Sequence, residues 1–359
     1  MCNYGLIGAG MMGQEHIRNI ALIRRSRVAA IFEPDTQMRA AAAALAPGAV
    51  LVDSLEKMLK IDAVDCLLIA SPNHLHARQL QQIAQTRPLP LLVEKPLYTD
   101  PADAALIDRL AESYAAPIWV AMEYRYMPPI ARLVAEAEAA TGGVRMLSIR
   151  EHRFPFLPKV GDWNRFNRNS GGTLVEKCCH FFDLMRLILA DEPVRVMASG
   201  GQAVNHLDES YGGETPDIWD NAYVIVDFAR GARAMLELCM FAEGSRFQEE
   251  ISAVGPAGKI EAHVPGPGRF WPANEPVPLP RLTLSPRTSK TRRVIELPVD
   301  PDLLRAGDHN GATFYQHQRF QEVVRGHAAP EVTLQDGARA VAMGMAAQRS
   351  ATTGLAVTL

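Results

Sequence analysis

Cysteine is scarce and without a pattern of pairing. The five residues, an odd number, stand at Cys2, Cys66, Cys178, Cys179 and Cys239, lacking the paired spacings of a zinc site or a disulfide framework. A reducing compartment fits this usage. No run approaches the roughly 20 apolar residues needed to span a bilayer. The start passes at once into strand-like Tyr4, Leu6 and Ile7, without a basic stretch and a long apolar segment, so no signal peptide and a cytoplasmic location are expected. A basic excess is missing as well: 37 Lys and Arg stand against 40 Asp and Glu, a formal net charge of -3, which argues against a general nucleic-acid binder. Internal repeats and low-complexity tracts are absent. What is there is the composition of a folded chain, 48% hydrophobic and 21% charged, and its 359 residues exceed what one hydrophobic core usually supports. Two domains are expected.

From residue 1 to 121 short apolar runs alternate with helical patterns: strands at 3–8, 27–33, 65–70, 90–94 and 117–121, helices at 12–23, 36–46, 75–86 and 101–115. This alternation predicts βαβ units and a doubly wound parallel sheet. After Met122 the grammar changes. Strand-like segments at 194–204, 220–229, 232–242, 247–254 and 258–264 follow one another without helices between, the pattern of a mainly antiparallel, one-sided sheet over 122–359. Helices are expected at 128–140, 173–190, 311–326 and 335–350. The Pro- and Gly-rich stretch from Pro265 to Pro286 reads as a loop between strands, with strand-like sequence resuming at Arg293–Leu297.

The first strand runs into Gly8-Ala9-Gly10-Met11-Met12-Gly13 and then into a helix. Gly8 permits the tight turn, Gly10 lets a pyrophosphate approach bare backbone, and Gly13 lets helix and strand pack closely. Met11 and Met12 open the helix, whose free N–H groups suit phosphates. Glu33, about 20 residues on, ends the second strand, where a carboxylate accepts from ribose hydroxyls and repels a 2′-phosphate, favouring NAD over NADP. A third signal, Ser71-Pro72-Asn73-His74-Leu75-His76, lies at another strand end, the edge where open α/β sheets carry ligands; Asn73 as a plain helix cap and Pro72 as a turn residue are the alternatives.

Glu94-Lys95-Pro96-Leu97 emerges at the same edge. A Lys there can donate to a substrate oxygen and stabilise developing charge, although such a pair is also common on surfaces. The second constellation is Gly171-Gly172-Thr173-Leu174-Val175-Glu176-Lys177-Cys178-Cys179-His180-Phe181-Phe182-Asp183. On one helix Glu176, His180 and Asp183 share a face, which suits an imidazole general base oriented by a carboxylate. The apolar remainder equally suits a core helix with a satisfied histidine. No further ligand stands at metal spacing, so no metal is expected.

These four segments together resemble the glucose-fructose oxidoreductase/inositol dehydrogenase (Gfo/Idh/MocA) family, in order and spacing over essentially the whole chain. The resemblance implies a Rossmann domain, a second α/β domain built on a large open antiparallel sheet, and a homodimer or homotetramer formed through that sheet. It implies an NAD-dependent dehydrogenase or reductase of a sugar, sugar derivative or cyclitol, with Lys95 as the family's lysine and His180 as its helix histidine. Ser71, Asn73, His76 and Glu94 fall on the cofactor side, and Tyr124, Arg125, Arg153 and Trp163, with His309 more remotely, on the substrate side. Where the family commonly has an aspartate four residues before the histidine this chain has Glu176, and the small residue two before it is Cys178. Lys177 adds a charge without an assigned role. Two other outcomes fit the same fold: glycoside cleavage through transient oxidation, and a non-catalytic NAD-binding regulator.

Overall fold

The computed structural model describes all of residues 1–359. The strands are β1 (Cys2–Ile7), β2 (Ser26–Phe32), β3 (Val50–Val52), β4 (Cys66–Ile69), β5 (Leu91–Val93), β6 (Ile118–Val120), β7 (Met146–His152), β8 (Pro193–Gly201), β9 (Asn221–Phe228), β10 (Arg233–Cys239), β11 (Glu249–Gly255), β12 (Gly258–Val264), β13 (Arg281–Pro286), β14 (Arg293–Glu296) and β15 (Val357–Thr358). They form a six-stranded sheet in the order β3-β2-β1-β4-β5-β6 and a nine-stranded sheet in the order β14-β13-β12-β11-β7-β10-β9-β8-β15.

Every pairing in the first sheet is parallel. Its central strands β4 and β5 are buried throughout, as expected of a sheet covered on both faces. The order reverses between β1 and β4, the switch point at which such sheets bind ligands beyond their strand ends. The sequence pattern missed β3 and the short helix Leu55–Met58, because three mostly exposed edge residues carry no burial signal.

The second sheet alternates instead. Along β9, Ala222, Val224 and Val226 are buried while Tyr223 and Ile225 are exposed, the mark of a one-sided sheet. It is not purely antiparallel: β7 and β10 pair in parallel. Two expectations are corrected here. The strand β7, absent from the sequence reading, sits in the middle of the sheet, and β13 occupies the end of the Pro- and Gly-rich stretch expected to be loop.

The chain divides into two compact units. The first comprises Met1–Met122, Pro158–Gly171 and Thr313–Val341, the second Glu123–Leu157, Gly172–Ala312 and Ala342–Leu359. Two later segments therefore return to the first unit across the sequence boundary at 121/122. The second return is secured by the Val120 N–H donating to the Val332 carbonyl (3.1 Å). At Gly337 any Cβ would meet Val120 Cγ2 at 2.9 Å.

Candidate functional site

In the first unit, three loops leave the carboxyl edge of the adjacent strands β1, β4 and β5. Gly8 turns with φ 89°, and a Cβ on it would stand 2.5 Å from the Ser71 amide nitrogen. A side chain here meets both a strained backbone and the neighbouring loop. A Cβ on Gly13 would meet the Gly8 carbonyl oxygen at 2.4 Å, whereas Gly10 faces open space. The helix Met11–Ala21 begins without a side-chain cap, leaving first-turn N–H groups of the kind that take a phosphate. Bare backbone at Gly10, an uncapped helix start and tight glycine packing behind them fit a dinucleotide pyrophosphate.

Glu33 is drawn into this loop. Its Oε2 accepts from the Ala9 N–H (2.6 Å) and its Oε1 from the Asp35 N–H (2.8 Å). The carboxylate therefore shapes the glycine turn itself, beyond the ribose role expected of it. Asn73 starts a 3-10 turn rather than capping a helix with its side chain, and its Nδ2 donates to the Ser170 carbonyl (3.4 Å). His76 is corrected more strongly. It is fully buried, with Nδ1 2.8 Å from the Pro96 carbonyl and Nε2 3.0 Å from that of Ser71. Burial pulls its pKa down against those two carbonyls. It braces the Ser71 loop to the Lys95–Pro96 turn from behind.

Beside half-buried Lys95, Glu94 is buried, with Oε1 2.9 Å from His16 Nε2 and Oε2 accepting from the Lys95 N–H (3.3 Å). Burial would raise the Glu94 pKa, but the His16 hydrogen bond and nearby charges bring it below the usual value. His16 Nδ1 in turn lies 2.8 Å from His317 Nε2. Neither histidine was foreseen, though His16 stands three residues after Gly13, one turn along the same helix. Trp163, half-buried, has the Lys159 ammonium 4.5 Å from its ring centroid and His74 at 6.2 Å between centroids. It thus belongs to the first unit.

In the second unit the expected single helix over 173–190 is broken. Thr173–Glu176 and Cys179–Leu189 are separate helices, joined through Lys177 and Cys178. The shared face of Glu176, His180 and Asp183 therefore does not come from one continuous helix, and Asp183 is engaged elsewhere: Arg125 donates to both its oxygens, Nε at 2.6 Å. His180 is 2% exposed. Its ring lies against Tyr124 with centroids 4.1 Å apart and planes 6° apart. The Tyr124 hydroxyl accepts from the Lys177 ammonium, and burial, then the charge of Glu151, pushes the Tyr124 pKa well up.

Three residues expected on the substrate side thus have internal partners. Tyr124 backs His180, Arg125 is paired with Asp183, and Arg153 lies over the Phe154 ring (4.3 Å) with Nη1 3.5 Å from Glu151 Oε1. His309 is 3.6 Å from Glu123. The sequence missed Glu151 and Glu249, although their place in the strand alternation, in phase with apolar residues, was the available signal.

The chain matches the model of the oxidoreductase family's NAD-binding Rossmann fold over residues 2–122 and that of its C-terminal alpha/beta domain over 140–359. It belongs to the Gfo/Idh/MocA oxidoreductase family. NAD is the cofactor of this oxidoreductase. The rhizopine catabolism protein MocA of Rhizobium meliloti is 26% identical over 272 residues, 75% of this chain and 78% of that protein. The inositol 2-dehydrogenase of Corynebacterium glutamicum (strain R) is 32% identical over 194 residues, 54% of this chain and 55% of that protein. A levoglucosan dehydrogenase solved with NADH and levoglucosan superposes with a TM-score of 0.81 at 18% identity, covering 99% of each chain. No helix of the structure is long and apolar enough to cross a membrane.

Proposed function

We propose that this NAD-dependent dehydrogenase oxidises a hydroxyl carbon of a sugar, sugar derivative or cyclitol, with His180 as general base and Lys95 as the donor to the reacting oxygen. The observation that carries the cofactor half is the convergence of the Gly8–Gly13, Ser71–Asn73 and Glu94–Lys95 loops at the switch point of one parallel sheet. When bound, NAD supplies the hydride acceptor, C4 of its nicotinamide. Met11, Met12 and Gly10 would hold the pyrophosphate, Glu33 the adenosine ribose, and Ser71 and Asn73 the segment beyond.

His180, in its neutral form, takes the hydroxyl proton. Lys95 donates to the same oxygen and stabilises the negative charge that grows there. Glu176, four residues before His180 and buried, is assigned to orient the histidine and to face the substrate beside it, and Trp163 offers a flat face to a ring. The substrate class is supported by relatives named for inositol and levoglucosan. The test is nicotinamide absorbance with NAD or NADP and a panel of cyclitols, aldoses and anhydrosugars. NADH formation that Lys95→Ala abolishes is expected. Glycosidic cleavage without net NADH would replace this reading with the glycoside-cleaving one, and bound cofactor with silence across the panel would leave the regulator.

The same proposal includes a homodimer or homotetramer. The outer face of the nine-stranded sheet exposes Tyr223 and Ile225, 60% and 45% accessible, on a strand whose other face is buried, and large apolar side chains exposed side by side on an open sheet suit association. Sedimentation is expected to give two or four times the 39.3 kDa chain mass. Tyr223→Lys with Ile225→Lys is expected to reduce it to the monomer; an unchanged mass would place the contact elsewhere. A cytoplasmic setting belongs to this reading too, in line with five free cysteines.

A further inference from the structure

On the buried face of the second sheet, two carboxylates occupy positions that the alternation gives to apolar side chains. Glu151 follows Leu147 and Ile149 along β7, and Glu249 precedes Ile251 and Ala253 along β11. The two are direct partners across the antiparallel pair, so their side chains share one face. Like charges so placed repel, and burial removes the water that would screen them. Cations answer one of the two: Lys177 Nζ lies 2.8 Å and Arg153 Nη1 3.5 Å from Glu151 Oε1. Glu249, 1% exposed, accepts from Gln248 Nε2 (2.6 Å) at Oε1, while its Oε2 has no hydrogen-bond partner.

Lys177 connects this pair to the histidine. Its ammonium donates to the Tyr124 hydroxyl and lies 4.6 Å from that ring's centroid, and the ring itself stacks on the imidazole of His180, with Phe181 against its edge. We propose that Lys177, Glu151 and Glu249 are positioning residues for His180, with Lys177 pinning the Tyr124 ring against the imidazole and the carboxyl pair setting the charge that the imidazole feels. This gives the unassigned charge of Lys177 a role. It rests on His180 being the reaction's base.

Burial, and then the charge of Glu151, raises the Glu249 pKa to about 7, with Lys177 opposing. Desolvation lowers the Lys177 pKa, helped by Arg153 and opposed by Glu151 and Glu249. Near neutrality the pair thus gains a negative charge as pH rises, and an added anion favours the charged imidazole. The other titratable or charged groups around the cluster are Glu123 and Tyr124 on the turn Glu123–Tyr126, Glu176 and Cys178 on either side of Lys177, Asp183 paired with Arg125 on the helix of His180, and His309, 6.0 Å from the Tyr124 ring.

The experiment is an NMR titration of His180 in the whole chain, isotope-labelled at histidine and without substrate, its resonance assigned by loss in His180→Ala. Two coupled steps are expected in the wild type and one in Glu249→Gln, which keeps the shape but cannot ionise. Lys177→Met removes a cation and leaves Glu151, so the imidazole pKa is expected to rise by about one unit. Tyr124→Phe keeps the ring but removes the pin, and its kcat is expected to fall about tenfold with KM retained. Identical His180 titrations in wild type, Glu249→Gln and Lys177→Met would overturn the proposal even if the variants were less stable. Full turnover in His180→Ala would overturn the assignment of the base and leave the titration result standing.

Discussion

His180→Ala is expected to lower turnover by roughly 10²–10⁴, the range that general-base catalysis supplies. The loss should appear equally in kcat and kcat/KM, because proton removal from the alcohol is an interaction made only on the way to the transition state. Since His180 is buried and stacked on Tyr124, alanine also opens a cavity, and thermal unfolding must be followed beside the kinetics. His180→Gln separates the two effects. It refills much of the volume and can still hydrogen-bond, but cannot take a proton near neutral pH, so it should recover stability and not turnover. Recovery of turnover in the glutamine variant would reduce His180 to a packing residue and move the base elsewhere.

How far the site could be read in advance differs between the two units. In the first, the glycine spacing alone points to a tight turn, a bare approach and a close packing contact, and a Cβ would clash at Gly8 and at Gly13 while Gly10 faces open space. These are local rules, decided within a few residues, so one sequence displays them. Partnerships across many residues were not legible. Nothing near His16 signals His317, 301 positions away, and nothing near Arg125 signals Asp183, 58 positions away.

In the second unit the failures share a cause. The strand β7 carries Glu151 at a buried position where the alternation calls for an apolar residue, leaving only Leu147 and Ile149 to signal it, and a central strand was hidden. The segment 173–190 looked like one helix because its apolar residues keep helical spacing, while the break at Lys177 and Cys178 answers to contacts that Lys177 makes with Glu151 and Tyr124. The open, one-sided sheet was nevertheless legible, because along β9 to β12 the period of two survives intact.

Asp183→Ala is expected to cost about 3–5 kcal/mol of stability, the range for removing one partner of a buried ion pair. Asp183 is fully buried and Arg125 nearly so, and the guanidinium meets both carboxylate oxygens. Alanine would strand a cation that has little access to water. The consequence extends past stability, because Arg125 shares the turn Glu123–Tyr126 with Tyr124, so the pair ties that turn to the helix that carries His180. Denaturant unfolding measures the first effect and kcat the second. A double variant, Arg125→Met with Asp183→Leu, removes both charges and fills their space, and replacements of this kind are often neutral or stabilising. It should regain most of the stability. If it also regains turnover, the pair serves only to hold Tyr124; if it folds well and stays slow, the Arg125 charge itself acts on the substrate, as the family resemblance implies.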